Sequence, residues 1–261
     1  MAETKAQFWN RTTFMVITGA SQGLGKQLAI EFSRSVAPDS TILLLARTLP
    51  KLETTKKEIL EINPTLNVKV LSVDLSKPDL EQFEEILAPF ASDRKYELYF
   101  LVHNAASVSC QTPATEMKDI NTWNEYMTLN LYSVALLTSA FLKYFKDGER
   151  CLLNISSLAA LVAFKGMAFY CVGKASREMY FKTLAEEDPS LNILNYSPGP
   201  LKTDMLDEIA NSCCNSDTKS TFTDMINKDN YVKIEDTVKK VIDVLGRRCY
   251  TSPGRIDFYD R

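Results

Sequence analysis

Tyr170 and Lys174 are spaced i and i+4, and Ser157 precedes them at the end of an apolar run. On a helix that spacing puts phenol and ammonium on one face, about 5–6 Å apart at Cβ. A lysine beside a tyrosine favours the phenolate and draws down a pKa that starts near ~10. Such a phenol can give or take a proton near neutral pH, which is what reduction of a carbonyl requires. The same residue types serve equally as a helix cap and a solvated helix face. The elements around them decide between the two.

Cys151 to Ser157 reads as a buried strand that delivers a hydroxyl at its C-terminal end, and Gly166 to Glu187 as the helix carrying Tyr170 and Lys174. Near the N-terminus, Phe14 to Thr18 is a short β-branched run that stops at a glycine, the expected first strand. The loop Thr18-Gly19-Ala20-Ser21-Gln22-Gly23-Leu24-Gly25 follows, then an amphipathic stretch from Lys26 to about Val36. Strand, glycine-rich turn and helix form the context in which a dinucleotide pyrophosphate rests on a helix N-terminus. Glycines let the backbone approach phosphates with no Cβ in the way. The spacing is G-x-x-x-G-x-G, and a plain strand-to-helix turn would read the same way.

Thr41 to Ala46 is the expected second strand, followed at once by Arg47. A site preferring NAD carries an acid at this point for the ribose 2′-hydroxyl. Ala46-Arg47 offers none, and a guanidinium suits a 2′-phosphate, so the pattern favours NADP(H) unless Arg47 is only a solvated loop charge. Val68 to Val73 reads as a third strand ending in Asp74-Leu75, where the carboxylate could accept from an adenine amino group or shape a turn. Leu98 to Val102 is a fourth, leading into His103-Asn104-Ala105-Ala106, whose small residues let backbone pass close to a flat cofactor. Helical patterns fill Pro50 to Ile62 and Leu80 to Phe90, and one long helix is expected over Thr122 to Phe145 with Asn130 inside it. A polar amide there wants a partner. Asn192 to Tyr196 makes a sixth strand, stopped by Ser197-Pro198-Gly199-Pro200. Asp207 to Asp229 is polar and reads as a mobile flap over the site or a plain surface excursion. Ile234 to Leu245 is a last helix, and the tail from Gly254 a last strand.

The pattern predicts a single α/β domain over residues 1–261, a doubly wound parallel sheet with helices on both faces and ligands at one edge. A net charge of −3 argues against nucleic-acid or anionic-membrane partners. No apolar run approaches the ~20 residues that span a bilayer, and the first residues lack the apolar core of a secretory signal. Six cysteines without C-x-x-C spacing favour a reduced, cytoplasmic setting. The one histidine, His103, reads as structural and leaves little for a histidine base or a metal site.

The glycine loop, Asn104-Ala105-Ala106, Asn130, Ser157, Tyr170-x-x-x-Lys174 and Pro198-Gly199 occur in one order along one chain. Together they resemble the short-chain dehydrogenase/reductase family. The resemblance implies a Rossmann fold, an NADP(H) cofactor and a tetrad of Asn130, Ser157, Tyr170 and Lys174. It implies cofactor contacts along Gly19, Ser21, Gln22, Gly23, Leu24 and Gly25, and at Ala46, Arg47, Asp74 and Leu75. Further contacts would fall at Asn104, Ala105, Ala106, Tyr170, Lys174, Pro198, Gly199, Leu201 and Thr203. Members pair through the long helices matching Thr122–Phe145 and Gly166–Glu187, so a homodimer is expected.

A closer likeness, to family members that reduce pterins, rests on Asn154-Ile155-Ser156-Ser157-Leu158, Phe164-Lys165-Gly166, Asn195 to Leu201 and Asp257-Phe258-Tyr259-Asp260. It implies a small-molecule pterin substrate held by Ser157, Tyr170, Gly199, Met205 and Asp257, with Asp257 anchoring the ring. A carboxylate can accept two hydrogen bonds from the amino and ring N–H groups of a pterin. Gln22 stands where the family often has Arg, Ala106 where it has Gly, and Met167 where relatives carry Trp. A broad dicarbonyl reductase would keep every motif without needing Asp257, and a non-catalytic NADPH sensor would need neither Tyr170 nor Ser157.

Overall fold

The structure is a computed structural model that describes residues 7–109 and 111–260. Its sheet has seven strands in the order β3-β2-β1-β4-β5-β6-β7, all parallel. The strands are β1 Thr13–Thr18, β2 Thr41–Ala46, β3 Asn67–Ser72, β4 Leu98–His103, β5 Glu149–Ile155, β6 Asn192–Ser197 and β7 Gly254–Asp257. Every residue of β1, β2 and β4 is buried, so these strands read as unbroken apolar runs rather than alternating ones. The fold matches the doubly wound sheet that the sequence predicts. The order turns back between β1 and β4, the crevice where such sheets bind ligands.

Strand alternation sends Met15 and Ile17 to one face and Phe14 and Val16 to the other. On the first face lie α1 Gly23–Ser33, α2 Leu49–Ile62 and α9 Ile234–Arg247, with Leu28, Phe32, Leu52, Val241 and Leu245 fully buried. On the second lie α3 Leu80–Asp93, α5 Ser133–Tyr144 and α6 Ala168–Glu187, contributing Phe83, Leu87, Phe141 and Phe181. Each such side chain contributes about 1.5–3 kcal/mol by leaving water. Among the described residues no helix is long and apolar enough to cross a membrane.

Two stretches differ from expectation. The helix expected over Thr122–Phe145 is α4 Ile120–Met127, a π-turn at Thr128–Tyr132 and then α5. The apolar spacing runs straight through the π-turn, so periodicity hides it. The Asp207–Asp229 stretch, expected as a mobile flap or a plain surface excursion with no secondary structure assigned to it, is helical: α7 Asp204–Ser212 and α8 Ser216–Asn227 pack together as a hairpin. Leu206, Ile209 and Ala210 are buried on one side of α7, and Asn215 caps α8 by accepting from the Thr218 N–H. The polar composition belongs to the outer faces of two short helices.

Candidate active site

Three strand ends and one helix bring the chemistry together. β5 ends at Ile155, and the next two residues carry Ser156 and Ser157. Ser157 Oγ accepts from the Ala159 N–H at 3.1 Å, so it does cap a short turn while facing the cavity. Tyr170 lies in the first turn of α6 and lines the same cavity as Ser157. Lys174, one turn on, is buried; its Nζ donates to the Ile155 carbonyl at 2.8 Å and lies 5.6 Å from the centre of the Tyr170 ring. The i, i+4 spacing therefore does place phenol and ammonium on one face, against the end of β5.

The electrostatics differ from the simple expectation of a lysine-depressed phenol. Burial pushes the Tyr170 phenol above its ordinary 10.0, outweighing the Ser157 hydroxyl and the Arg177 charge that pull it down. Burial also holds Lys174 well below 10.5, helped by the neighbouring Arg177 cation. Desolvation wins over the pairwise attraction because both groups are enclosed. The phenol is consequently protonated at neutral pH, the state a proton donor needs.

Asn130 sits in the π-turn and is 2% exposed. Its amide donates to Ser107 Oγ at 3.0 Å and to the Tyr126 carbonyl at 2.9 Å, and its oxygen accepts from the Ser107 N–H at 3.0 Å. Both amide hydrogens are thus spent on the protein. The side chain fixes the π-turn against the loop after β4.

The glycine loop runs beside this crevice. Gly19 and Gly23 have φ of +67° and +55°. A Cβ on Gly25 would lie 2.2 Å from the Gly19 carbonyl oxygen, so the third glycine is required for the close approach of α1 to the loop. The N-terminus of α1 has no side-chain cap and no acid in its first turn, which leaves its N–H groups for an anion. Asn104 Nδ2 donates to the Thr18 and Gly19 carbonyls at 3.0 and 3.3 Å, so it stitches the loop to the end of β4. Arg47 is exposed at the end of β2, and Leu75 is buried. Asp74 Oδ1 accepts from the Ser76 N–H and hydroxyl at 3.0 and 2.7 Å, and those bonds lower its pKa. These bonds shape the turn after β3 through one carboxylate oxygen. These residues fit a nicotinamide dinucleotide carrying a 2′-phosphate: an open helix N-terminus, a cradle that only glycine fits, and a cation with no acid at the end of β2.

Gln22 is held between two ions, accepting from Lys51 Nζ at 2.6 Å and donating to Asp204 at 2.7 Å. Lys51 went unnoticed in the sequence, although it lies one helical turn past Arg47. Arg177, also unnoticed, is fully buried and donates to Asn154 Oδ1, the Ala105 carbonyl and the His103 carbonyl at 2.9, 3.1 and 2.9 Å. His103 is structural, its Nε2 sharing a hydrogen bond with Thr138 at 2.8 Å.

A cavity of about 270 Å³ opens over Ser157 and Tyr170. Gly199, Leu201, Thr203 and Met205 form one side, and Phe164 and Met167 another. Leu206, Ile209, Phe222 and Met225 of the α7–α8 hairpin close it above, with Asp257 and Tyr259 at the side of β7. The structure therefore gathers Ser157, Tyr170, Gly199, Met205 and Asp257 around one space. Asp257 Oδ1 accepts from the Tyr259 N–H at 3.2 Å.

The short chain dehydrogenase family model matches residues 13–213, from β1 through α7. The chain belongs to that family. It is an oxidoreductase of the short-chain type. A curated relative, sepiapterin reductase of Xenopus laevis, is 34% identical over 254 residues, covering 94% of this chain and 95% of the relative. A benzil reductase of Bacillus subtilis is 30% identical over 196 residues, covering 73% of this chain and 75% of the relative. Among solved structures, a short chain dehydrogenase from Shigella flexneri complexed with NADP superposes with a TM-score of 0.80 at 19% identity, covering 97% of this chain and all of that one.

Proposed function

We propose that this protein reduces a side-chain carbonyl of a pterin with NADPH, taking sepiapterin to dihydrobiopterin and 6-pyruvoyl-tetrahydropterin to tetrahydrobiopterin, the last step of tetrahydrobiopterin synthesis. The observation that carries the reading is a carboxylate, Asp257, in the wall of the cavity that holds Ser157 and Tyr170. Identity to a sepiapterin reductase along nearly the whole chain supports it.

When bound, the cofactor supplies a hydride. Tyr170 gives a proton to the carbonyl oxygen as charge develops there, and Ser157 hydrogen-bonds the same oxygen and holds it in line. Lys174 binds the nicotinamide ribose from the floor formed by Ile155. Asn130 holds the π-turn whose main chain positions the water that restores the proton. Asp257 fixes the ring so that its side chain faces Tyr170, and the apolar hairpin excludes bulk water.

Asp257→Asn is expected to cut kcat/KM for sepiapterin by about ten- to a hundredfold, the range of a lost charge-assisted hydrogen bond. NADPH oxidation with a simple diketone serves as control and should be unchanged. Parent rates on both substrates in Asp257→Asn would return the protein to a general dicarbonyl reductase. That second reading is favoured by the mostly apolar cavity wall and the Bacillus relative.

Arg47→Ala should weaken NADPH binding by about tenfold, the low end for a charge-assisted contact because the side chain is exposed. NADH affinity should not move, and fluorescence titration of both cofactors reads the difference. Weakening of both alike would place Arg47 away from the 2′-phosphate.

The same reading includes a homodimer. Val172 and Met179, seven residues apart on α6, are 42% and 61% exposed, an apolar stripe that a second copy would cover. Sedimentation equilibrium at about twice the 29.4 kDa chain mass is the expected result, and a monomer would refute the pairing.

A further inference from the structure

Tyr170, Lys174 and Glu178 follow one another at four-residue intervals on α6 and form a single stripe facing the end of β5. Glu178 is 2% exposed, an unusual place for a carboxylate. Its Oε1 accepts from the Ser156 hydroxyl and from Arg255 Nε, the latter at 3.1 Å, while Oε2 is buried with no hydrogen-bond partner. Arg255 comes from β7, two residues before Asp257. Its second arm, NH2, donates to the Ser157 carbonyl at 3.2 Å. One guanidinium thus touches the helix that carries Tyr170 and the main chain of Ser157, from the strand that carries Asp257.

We infer that the ion pair between half-buried Arg255 and buried Glu178 is a positioning device for the reaction: it sets the distance between Ser157 and Tyr170 and ties the Asp257 strand to both. The physical case rests on what the alternatives would cost. A buried ion pair is weak evidence for stability, since apolar residues of similar volume often serve as well. This pair spends its remaining hydrogen bonds on the Ser156 hydroxyl and the Ser157 carbonyl, the chain segment that presents the Ser157 side chain to the site. Lys174 pins α6 to Ile155, and Ser156 pins it to Glu178 one turn further along, so α6 is registered against β5 at two points. Arg255 adds the third point and holds the Ser157 peptide from the far side. A misplacement of about 1 Å in such a site costs on the order of a hundredfold in rate. The inference needs only the Ser157–Tyr170 site and not the pterin reading, and the diketone arm of the test keeps the two apart.

The test uses the full-length protein with Arg255→Lys and with the double substitution Arg255→Met/Glu178→Gln. The first keeps a cation for Glu178 but cannot reach both acceptors with a fork. The second removes both charges, so no uncompensated ion is left buried. Expected results are a kcat for the diketone lowered roughly threefold in Arg255→Lys and on the order of ten- to a hundredfold in the double variant, with KM little changed and the Kd of NADPH by fluorescence at the parent value. Should the double variant fail to fold, Arg255→Lys alone decides. A folded Arg255→Lys with the parent kcat overturns the inference. So does a loss matched by an equal loss of NADPH affinity, which marks general damage. If the parent reduces the diketone but not sepiapterin, the pterin reading fails while this comparison still stands.

Discussion

Replacing Tyr170 by phenylalanine is expected to lower kcat for carbonyl reduction by roughly 10²–10⁴-fold while leaving the Kd of NADPH at the parent value. The substitution removes one oxygen and keeps the ring, which packs against the buried cluster of Val108, Met167, Ile209 and Cys213. Little else should change. Ser157 remains in place, yet its hydroxyl is a poor acid at neutral pH. The phenol's elevated pKa also fixes the pH behaviour of the parent enzyme. Reduction needs the protonated phenol, so the alkaline limb of kcat/KM should lie above pH 10.0 and vanish in Tyr170→Phe. Single-turnover measurement of NADPH oxidation separates the chemical step from product release. A variant that reduced substrate at the parent rate would show that the proton comes from elsewhere, and the assignment of Tyr170 would fall.

Much of this site was legible in the sequence because its parts are local. A β-branched run halted by glycine, as at Phe14 to Gly19, declares both a buried strand and the turn after it. Tyr170 and Lys174 declare their shared face by spacing alone, since four residues bring side chains together on any helix. Asp74 showed its part in a turn, and the Ser76 bonds to one of its oxygens display it. What stayed hidden depends on distant partners. Arg177 reads as an ordinary helix cation until β4 and β5 fold beside it and offer His103, Ala105 and Asn154. Glu178 and Arg255 are 77 positions apart, and neither signals burial on its own. The π-turn escaped because a five-residue wide turn barely disturbs apolar spacing. The α7–α8 hairpin escaped because its many polar residues conceal two amphipathic faces, with Leu206 and Ile209 on one helix and Phe222 on the other.

Lys174→Met is expected to abolish most turnover and yet raise the melting temperature of the cofactor-free protein by a few degrees, about 1–2 kcal/mol of stability. The ammonium is enclosed beside the Arg177 cation, and its one fixed acceptor is the Ile155 carbonyl at 2.8 Å. That hydrogen bond does not offset the loss of hydration, which is why burial holds the pKa well below 10.5. Methionine keeps the apolar stem and drops the charge. The sign of the pH dependence follows from proton binding. Between the depressed folded value and 10.5 the unfolded chain holds a proton that the folded chain lacks, so stability of the parent rises with pH through that window. Below the window the penalty is complete and constant; above it the penalty is gone. The advantage of Lys174→Met should therefore be largest at acidic to neutral pH and shrink toward pH 10.5, as read by denaturant unfolding of both proteins without cofactor. A variant less stable than the parent at every pH would mean that the Ile155 contact outweighs desolvation. The expected outcome, a stabler and inactive protein, identifies Lys174 as a charge kept in place for the cofactor's ribose at the expense of the fold.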